Sequence, residues 1–207
     1  MPNVRMRPKT TALLVVDIQE RLISTIHEHS AMVTRTQALI GIASLLNLPI
    51  VVTEQNVRGL GRSVSAIRDA LPTGTPVFEK FSFSALTPEV RDHIRSLGNP
   101  DLLVCGIEAH VCVLQTVLDC CTDGIQTFHA TDAISSGQQD QIEPAFRRME
   151  RAGSIPTGVL SAAYELMGSS EHPAFRAVLP LAKGVVSTQR LSTPSSTTSS
   201  TTSSTTC

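Results

Sequence analysis

The sequence predicts a three-layer, doubly wound α/β protein. We expect a mostly parallel six-stranded sheet of order 3-2-1-4-5-6, with helices on both faces. Short apolar runs alternate with longer amphipathic segments along the chain, as in repeated strand–helix–strand units. Several of these runs are apolar on both faces, which is typical of strands buried inside a parallel sheet.

Six strands are predicted from the short apolar runs, because strands of a buried sheet span only a few residues. They are residues 11–16, 50–53, 76–79, 102–105, 125–129 and 154–157. The first, second and fourth runs are apolar on both faces, so we expect helices to cover both sides of these strands.

Four helices are predicted between and after these strands, at residues 31–46, 88–97, 109–123 and 139–152. The second begins with Thr87 as N-cap, followed by Pro88 at the first helical position and an acidic residue. The last two stop at Gly124 and Gly153, which suit the left-handed conformation that ends many helices.

Length and composition predict one domain with an appendage in this chain of 207 residues. Hydrophobic residues make up 41% of the chain, which excludes disorder over most of it. Residues 187–207 are almost entirely serine and threonine and offer no apolar surface to bury. We therefore predict a domain over residues 1–186 and a disordered tail over residues 187–207.

The charge balance bears on possible partners. Lysine and arginine number 17 and aspartate and glutamate 18, so the formal net charge is −1. Nucleic-acid binders usually show a strongly basic face, so we do not expect a nucleic-acid partner. Charged residues make up only 17% of the chain, which favours a homo-oligomer. No run approaches the ~18 apolar residues of a membrane span, and no membrane association is predicted.

Cysteine usage predicts an intracellular, cytoplasmic protein with reduced thiols. The five cysteines are odd in number and fit no zinc spacing; they are Cys105, Cys112, Cys120, Cys121 and Cys207. Residues 1–9 lack the apolar core of a signal peptide. Arg5, Arg7 and Lys9 precede the first acidic residue, so a mitochondrial location is the alternative.

Three chemically distinctive residues follow predicted strands. Asp17 follows the first, Lys80 the third, and Cys112 begins the helix after the fourth. Each has a structural alternative: Asp17 as a helix cap or ion-pair partner, Lys80 as a side chain extended toward water, and Cys112 as an inert buried thiol. Ligands of doubly wound sheets bind beyond the carboxyl ends of the strands, so these residues can converge in one crevice. An acid, a cation and a thiol together predict nucleophilic catalysis.

The same segments resemble a known family. They are Val-Val-Asp-Ile-Gln at 15–19, Glu-Lys-Phe-Ser-Phe-Ser at 79–84 and Gly-Ile-Glu-Ala-His-Val-Cys-Val at 106–113. The sequences at 52–55, 59–61 and 131–136 support the resemblance, which spans about residues 10–181. The chain is similar to the isochorismatase-like cysteine hydrolases, and in particular to the isochorismatase domain-containing proteins.

This resemblance implies an Asp–Lys–Cys triad. Asp17 would take the thiol proton, Lys80 would stabilise the charges, and Cys112 would attack a carbonyl or nitrile-type carbon. Backbone amides around Ile107, Glu108 and Val111 would form the oxyanion hole, with a cis peptide bond between the first two. The helix N-terminus and Lys80 lead us to expect a lowered pKa for the Cys112 thiol.

The chain also departs from the family's metal-binding members. Family nicotinamidases place an aspartate and two histidines after the second strand, where this chain has Glu54, Gln55, Asn56 and Val57. We therefore predict no catalytic metal, no cofactor and no nicotinamidase activity. Isochorismate-cleaving members lack a cysteine at the nucleophile position, so Cys112 argues against that substrate as well.

Other polar and aromatic residues near the strand ends are candidate pocket residues. They are Gln19, Gln55, Phe83 and His110. His129 is a possible pocket wall at the end of the fifth strand, and Asp132 is predicted to cap the following loop.

The sequence favours a cofactor-independent hydrolase that acts on a small amide or other carbon–nitrogen substrate through a Cys112 thioester. The alternative is a catalytically silent or regulatory member that oligomerises and binds a partner. A nuclease is a third hypothesis, which the 3% aromatic content and the absence of an RNA-reading motif do not favour.

Overall fold

A single parallel sheet positions the candidate site. The computed structural model describes residues 5–98 and 100–191, with side chains described as far as residue 186. The sheet has the order β3-β2-β1-β4-β5-β6, and all of its paired strands are parallel. The strands are β1 (Thr11–Val16), β2 (Ile50–Gln55), β3 (Val77–Lys80), β4 (Asp101–Gly106), β5 (Thr127–Ile134) and β6 (Ile155–Thr157). The predicted fold class is confirmed.

Helices cover both faces of this sheet. They are α1 (Glu20–Ile23), α2 (His29–Leu45), α3 (Val57–Leu60), α4 (Ser65–Arg68), α5 (Pro88–Ser96), α6 (Leu114–Thr122), α7 (Ile142–Ala152), α8 (Val159–Met167) and α9 (Phe175–Leu191). Two short 3₁₀ helices, at Pro8–Thr10 and Gln139–Gln141, and a π-helical turn at Ala109–Val113 complete the described regular structure.

Two apolar cores result, one on each face of the sheet. One packs alternate residues of β1 and β2 against α2, α8 and α9, and the other packs the intervening residues against α5, α6 and α7. Every residue of β1 is buried, as expected for a central strand covered on both sides. Each Å² of apolar surface buried in these cores contributes roughly 25 cal/mol, so the layering on both faces stabilises the sheet.

The strand register brings the predicted site residues to one edge of the sheet. Val16, the last residue of β1, is aligned with Thr53 in β2 and with Gly106 in β4. Gln55 in β2 is aligned in turn with Lys80, the last residue of β3. The loops that leave β1, β3 and β4 therefore start next to each other at the point where the strand order reverses.

Several elements differ from their predicted bounds. β5 begins and ends later than the predicted strand at 125–129, and the predicted helix at 109–123 is divided into the π-helical turn and α6. The four-residue helices α1, α3 and α4 carry too little periodic sequence to be predicted. The predicted helix ends are confirmed at Gly124 and Gly153, which have φ of +75° and +107°.

Helix α9 spans the residue at which the domain boundary is predicted. Helix α9 runs from Phe175 to Leu191 with Pro180 inside it, so the predicted boundary at residue 186/187 falls within a helix. The remainder of the predicted tail, residues 192–207, lies outside the described residues. Among the described helices, none is long and apolar enough to cross a membrane.

Candidate active site

Asp17 occupies a strained position directly after β1. Its φ of +53° lies in the left-handed region, which residues other than glycine rarely adopt. Two bonds to Thr53 hold it there: the Asp17 N–H donates to the Thr53 carbonyl at 3.1 Å, and the Thr53 hydroxyl donates to Asp17 Oδ1 at 2.8 Å. The residue is 1% exposed. Burial raises the pKa of the Asp17 carboxyl, although the neighbouring Lys80 charge opposes that rise.

Lys80 is fully buried, so its ammonium does not extend into water. Its Nζ donates to Asp17 Oδ2 at 2.6 Å and to Gln55 Oε1 at 2.8 Å. It also lies 3.1 Å from the Ser82 carbonyl oxygen and 3.0 Å from that of Phe83. Because a buried cation is costly unless it is paired and hydrogen-bonded, this set of acceptors explains how the lysine is accommodated.

Cys112 completes the group from the turn after β4. The turn begins at Gly106, whose φ is +123°, and contains a cis peptide bond between Ile107 and Glu108, as the resemblance implies. Cys112 lies in the π-helical turn and is 8% exposed. Its thiol lies near enough to the Asp17 carboxylate and to the Glu108 backbone amide for both groups to affect its pKa. A single carboxylate therefore lies beside the thiol and accepts a hydrogen bond from the lysine ammonium.

The expectation of a lowered thiol pKa at Cys112 is wrong. Burial and the negative charge of Asp17 outweigh the positive charge of Lys80, and together they raise the pKa of Cys112 to about 12. Burial also raises the pKa of Cys105 and of Cys120 to about 12. What distinguishes Cys112 from these thiols is that the charges of Asp17 and Lys80 both act on it, and not a lower pKa.

Two predicted pocket residues have side chains that are engaged within the protein. Gln19 is fully buried and bonds to backbone groups of Gln55 and Gly61. The Gln55 amide accepts from Lys80 and donates to the Phe81 carbonyl at 2.8 Å. Both side chains therefore stabilise the site through hydrogen bonds to other protein groups.

Two of the three backbone amides predicted for the oxyanion hole already donate hydrogen bonds within the protein. The Ile107 N–H donates to the Val16 carbonyl at 2.9 Å, and the Val111 N–H donates to the Glu108 carbonyl at 3.1 Å. The Glu108 backbone amide lowers the pKa of the Cys112 thiol, while the Glu108 carboxylate accepts from the Gly137 N–H at 2.8 Å. Of the three predicted amides, the one at Glu108 therefore influences the candidate nucleophile.

The two remaining pocket candidates lie on loops around the site. The Phe83 side chain is 55% exposed, and its carbonyl oxygen, not its ring, contacts Lys80. His110 Nδ1 lies 2.9 Å from Ser136 Oγ, so its ring is tied to the loop after β5. Neither ring has a described hydrogen bond or ring contact with the three central residues.

Two residues assigned to the end of the fifth strand lie elsewhere, because β5 continues to Ile134. His129 is fully buried inside β5, with Nδ1 2.9 Å from Ser154 Oγ, and does not line a pocket at the strand end. Asp132 does not cap the following loop; its Oδ1 accepts from the Val159 N–H at the start of α8, at 2.9 Å.

Thr53, which orients the Asp17 carboxylate, was not predicted as a site residue. Its signal was a polar residue that directly follows three apolar ones in β2, since a polar group buried at such a position needs an internal hydrogen-bond partner.

The residues at and just after the end of β2 do not fit the metal site of the family's metal-binding members. The Glu54 carboxylate accepts from the Ser63 N–H at 2.7 Å and from its hydroxyl at 2.8 Å, and Arg62 lies 3.5 Å away. The Asn56 side chain instead caps α3 by accepting from the Gly59 N–H. Across the part of the chain that the structure describes, no three histidine, cysteine or acidic residues are grouped to hold a metal ion.

The strand order and the residues grouped at its switch point define a doubly wound α/β protein with a hydrolase-type fold. Residues 11–159 match the isochorismatase domain, and the chain belongs to the isochorismatase family. This confirms the resemblance inferred from the sequence motifs.

Two curated relatives match most of the chain. The secreted isochorismatase effector Isc1 of Phytophthora sojae is 34% identical over 189 residues, covering 89% of this chain and 90% of the relative. Isochorismatase domain-containing protein 2 of Danio rerio is 30% identical over 178 residues, covering 86% and 89% respectively.

Solved structures share the fold. A structure described as MAR1 ribonuclease from Caenorhabditis elegans is 37% identical, with a TM-score of 0.82, and covers 86% of this chain and 92% of that one. The YcaC gene product of Escherichia coli, described as an octameric hydrolase of unknown specificity, is 25% identical with a TM-score of 0.83. That match covers 92% of this chain and 96% of YcaC.

Proposed function

We propose that this protein is a cofactor-independent cysteine hydrolase that cleaves a small amide or related carbon–nitrogen substrate. The observation that carries the proposal is the position of the Asp17 carboxylate. It accepts from Lys80 Nζ at 2.6 Å and lies near enough to the Cys112 thiol to raise the thiol pKa. A nucleophile beside a base that a third group orients is the arrangement expected for covalent catalysis.

In the first step, the Cys112 sulfur bonds to the substrate carbonyl carbon as the thiol proton passes to Asp17. A thiol pKa of about 12 means that the resting nucleophile is a thiol and not a thiolate. Burial raises the pKa of Asp17, which makes it a stronger base than an ordinary aspartate. Direct proton transfer from the thiol to this neighbouring carboxylate removes the need for a free thiolate to accumulate.

In the second step, the carbon–nitrogen bond breaks and the departing nitrogen takes the proton from Asp17, leaving a thioester on Cys112. Water then attacks the thioester carbonyl and gives a proton to Asp17, and the released carboxylic acid leaves as Cys112 regains that proton. Lys80 keeps its charge throughout and stabilises the negative charge that moves between sulfur and carboxylate.

The Glu108 backbone amide is our candidate donor for the oxyanion, because it lies near the Cys112 sulfur and lowers the pKa of that thiol. The amides of Ile107 and Val111 stabilise the turn, because they donate to the carbonyls of Val16 and Glu108 respectively. In this scheme they hold the nucleophile turn in place and do not contact the substrate.

A ribonuclease is the second candidate function, and the observation that favours it is the description of the C. elegans structure. The net charge of −1 and the 3% aromatic content do not favour RNA binding. Ribonuclease activity that persisted in Cys112→Ala and did not separate from the protein on further purification would replace the hydrolase proposal. A silent, partner-binding member is the remaining alternative.

We further propose that the protein forms a homo-oligomer and functions inside the cell. The octameric description of the YcaC structure and the low content of charged residues, 17%, support the oligomer. The reduced state expected of its cysteines supports an intracellular location. The P. sojae relative is described as secreted, so immunolocalisation of the full chain is needed to decide the compartment.

The hydrolase proposal is tested by measuring ammonia or amine release from a panel of small amides. We expect turnover of at least one substrate by the wild type and loss of that turnover in Cys112→Ser. Cys121→Ser is the matched control, because this thiol is partly buried and lies 3.8 Å from the Thr127 hydroxyl, in α6 beyond the candidate site. Equal turnover in wild type and Cys112→Ser would refute the assignment.

A further inference from the structure

We propose that Gln55 is a positioning residue that fixes Lys80, and that the buried Gln19 fixes Gln55 in turn. This inference rests on the function proposed above and assigns these two glutamines to support the catalytic group instead of contacting substrate. It is carried by the hydrogen bonds that join the segment after β1 to β2 and β3 at the carboxyl edge of the sheet.

The first link is the Gln55 side chain, which makes one bond in each direction. Its Oε1 accepts from Lys80 Nζ at 2.8 Å, and its Nε2 donates to the Phe81 carbonyl at 2.8 Å. The amide is thereby oriented, with its oxygen toward the ammonium. The residue after Lys80 is thus held by the same side chain that holds the Lys80 head group.

The second link is Gln19, which is fully buried. Its Oε1 accepts from the Gln55 N–H at 2.7 Å, and its Nε2 donates to the carbonyls of Gln55 at 2.9 Å and Gly61 at 2.6 Å. Gln19 therefore clamps the backbone of Gln55 at the end of β2. A buried amide with its donors and acceptor satisfied in this way fixes its partners with little freedom to move.

The Lys80 ammonium has acceptors on several sides, and Gln55 supplies the one that comes from β2. Asp17 attracts the ammonium from one side at 2.6 Å, and the Ser82 and Phe83 carbonyls lie 3.1 and 3.0 Å away on the loop that follows β3. Without the Gln55 acceptor, the ammonium keeps these partners but loses the one that comes from β2. Its charge is then free to shift with the loop and away from the sulfur, whose ionisation it favours.

The test is the rate of iodoacetamide alkylation of Cys112, followed by peptide mass spectrometry between pH 7 and pH 10. Gln55→Met preserves length but neither accepts from Lys80 nor donates to Phe81. We expect alkylation to be roughly three- to tenfold slower near pH 8.5, with the profile displaced toward higher pH, because a hydrogen bond to a charged group is lost. Gln19→Met should cause a smaller change in the same direction.

Gln37→Met is the matched control. Its Nε2 donates to the Ala66 carbonyl at 2.9 Å, joining α2 to α4 without contacting Lys80. It should lower thermal stability like the other variants but leave the alkylation profile unchanged. An unchanged profile in Gln55→Met, or an equal displacement in Gln37→Met, would overturn the positioning role.

A double-mutant cycle separates this inference from the proposed function. In the Lys80→Met background, Gln55→Met should have no further effect on alkylation, because the lysine through which it acts is gone. Should Lys80→Met fail to fold, the comparison of Gln55→Met with Gln37→Met still decides the matter. If Lys80→Met folds and alkylation is unaffected by it, the triad itself is wrong; if Lys80→Met slows alkylation and Gln55→Met does not, only the positioning role fails.

Discussion

Replacing Asp17 with asparagine separates two effects that the structure assigns to one carboxylate. Its negative charge helps to raise the pKa of the Cys112 thiol, and we propose that it also takes the thiol proton during catalysis. Asparagine keeps the size of the side chain and an oxygen for the Thr53 hydroxyl, but it has no charge and cannot act as the base. We therefore expect Asp17→Asn to make the thiol easier to ionise while abolishing turnover.

The size of the effect follows from the contacts. A charged group within hydrogen-bond range shifts a neighbouring pKa by about 1–3 units, so the thiolate fraction near pH 8 should rise by roughly 10- to 1000-fold. Thiolate nucleophilicity falls as the pKa falls, with a Brønsted slope of about 0.5, so the alkylation rate should rise only about 3- to 30-fold. Lys80, released from its ion pair, would favour the thiolate further.

The assay combines iodoacetamide labelling of Cys112 at pH 8 with amide turnover on the same preparations. Asp123→Asn is the matched control, because Asp123 pairs with Arg91 at 2.6 Å and follows the end of α6, away from the thiol. Faster labelling with lost turnover supports the assignment. Slower labelling than in the wild type, or turnover within about tenfold of the wild type, would refute the reasoning.

Two predictions concern stability. His129 is buried with Nε2 unpartnered, and burial lowers its pKa from 6.5 to about 4, so the folded state binds fewer protons than the unfolded state as the pH falls from 6.5 towards 4. Urea unfolding should therefore show that the free energy of unfolding falls by about 3 kcal/mol over that pH range. This fall should be absent from His129→Asn, and an equal fall in that variant would exclude His129 as the cause. A Cβ at Gly106 would lie 2.1 Å from the Val16 carbonyl oxygen, so Gly106→Ala should cost about 4 kcal/mol or more by thermal unfolding. Gly74→Ala, where nothing lies within 4 Å, should cost only about 1–2 kcal/mol, and equal costs would contradict the close approach of β1 and β4.

The sheet and the three central residues were predictable because each leaves a local signal. The run at Thr11–Val16 is apolar at nearly every position, and the structure buries all of it at the centre of the sheet. Asp17, Lys80 and Cys112 each end a strand or follow one, and parallel strands bring such positions to one edge. The motifs around them then supplied the family.

The remainder depends on packing that sequence spacing does not encode. The raised pKa of Cys112 arises from burial beside Asp17, whereas the sequence showed only a cysteine near a helix start. Gln19 and Gln55 were predicted as pocket residues from their positions. Their hydrogen-bond partners depend on how β2, β3 and the segment after β1 pack together, which sequence spacing does not show. Helix α9 carries Pro180 and ends in a serine- and threonine-containing stretch, so its local sequence did not favour a helix.

The most direct test of the central claim is to trap the covalent intermediate on Cys112. The wild-type protein would be mixed with an amide that it turns over, quenched in acid within milliseconds, and examined by intact-protein and peptide mass spectrometry. The proposed mechanism predicts an adduct on Cys112 with the mass of the acyl group, present in the wild type and absent from Cys112→Ser and from samples quenched after substrate exhaustion. Turnover without any adduct on Cys112, or an adduct on another residue that persists in Cys112→Ser, would contradict it.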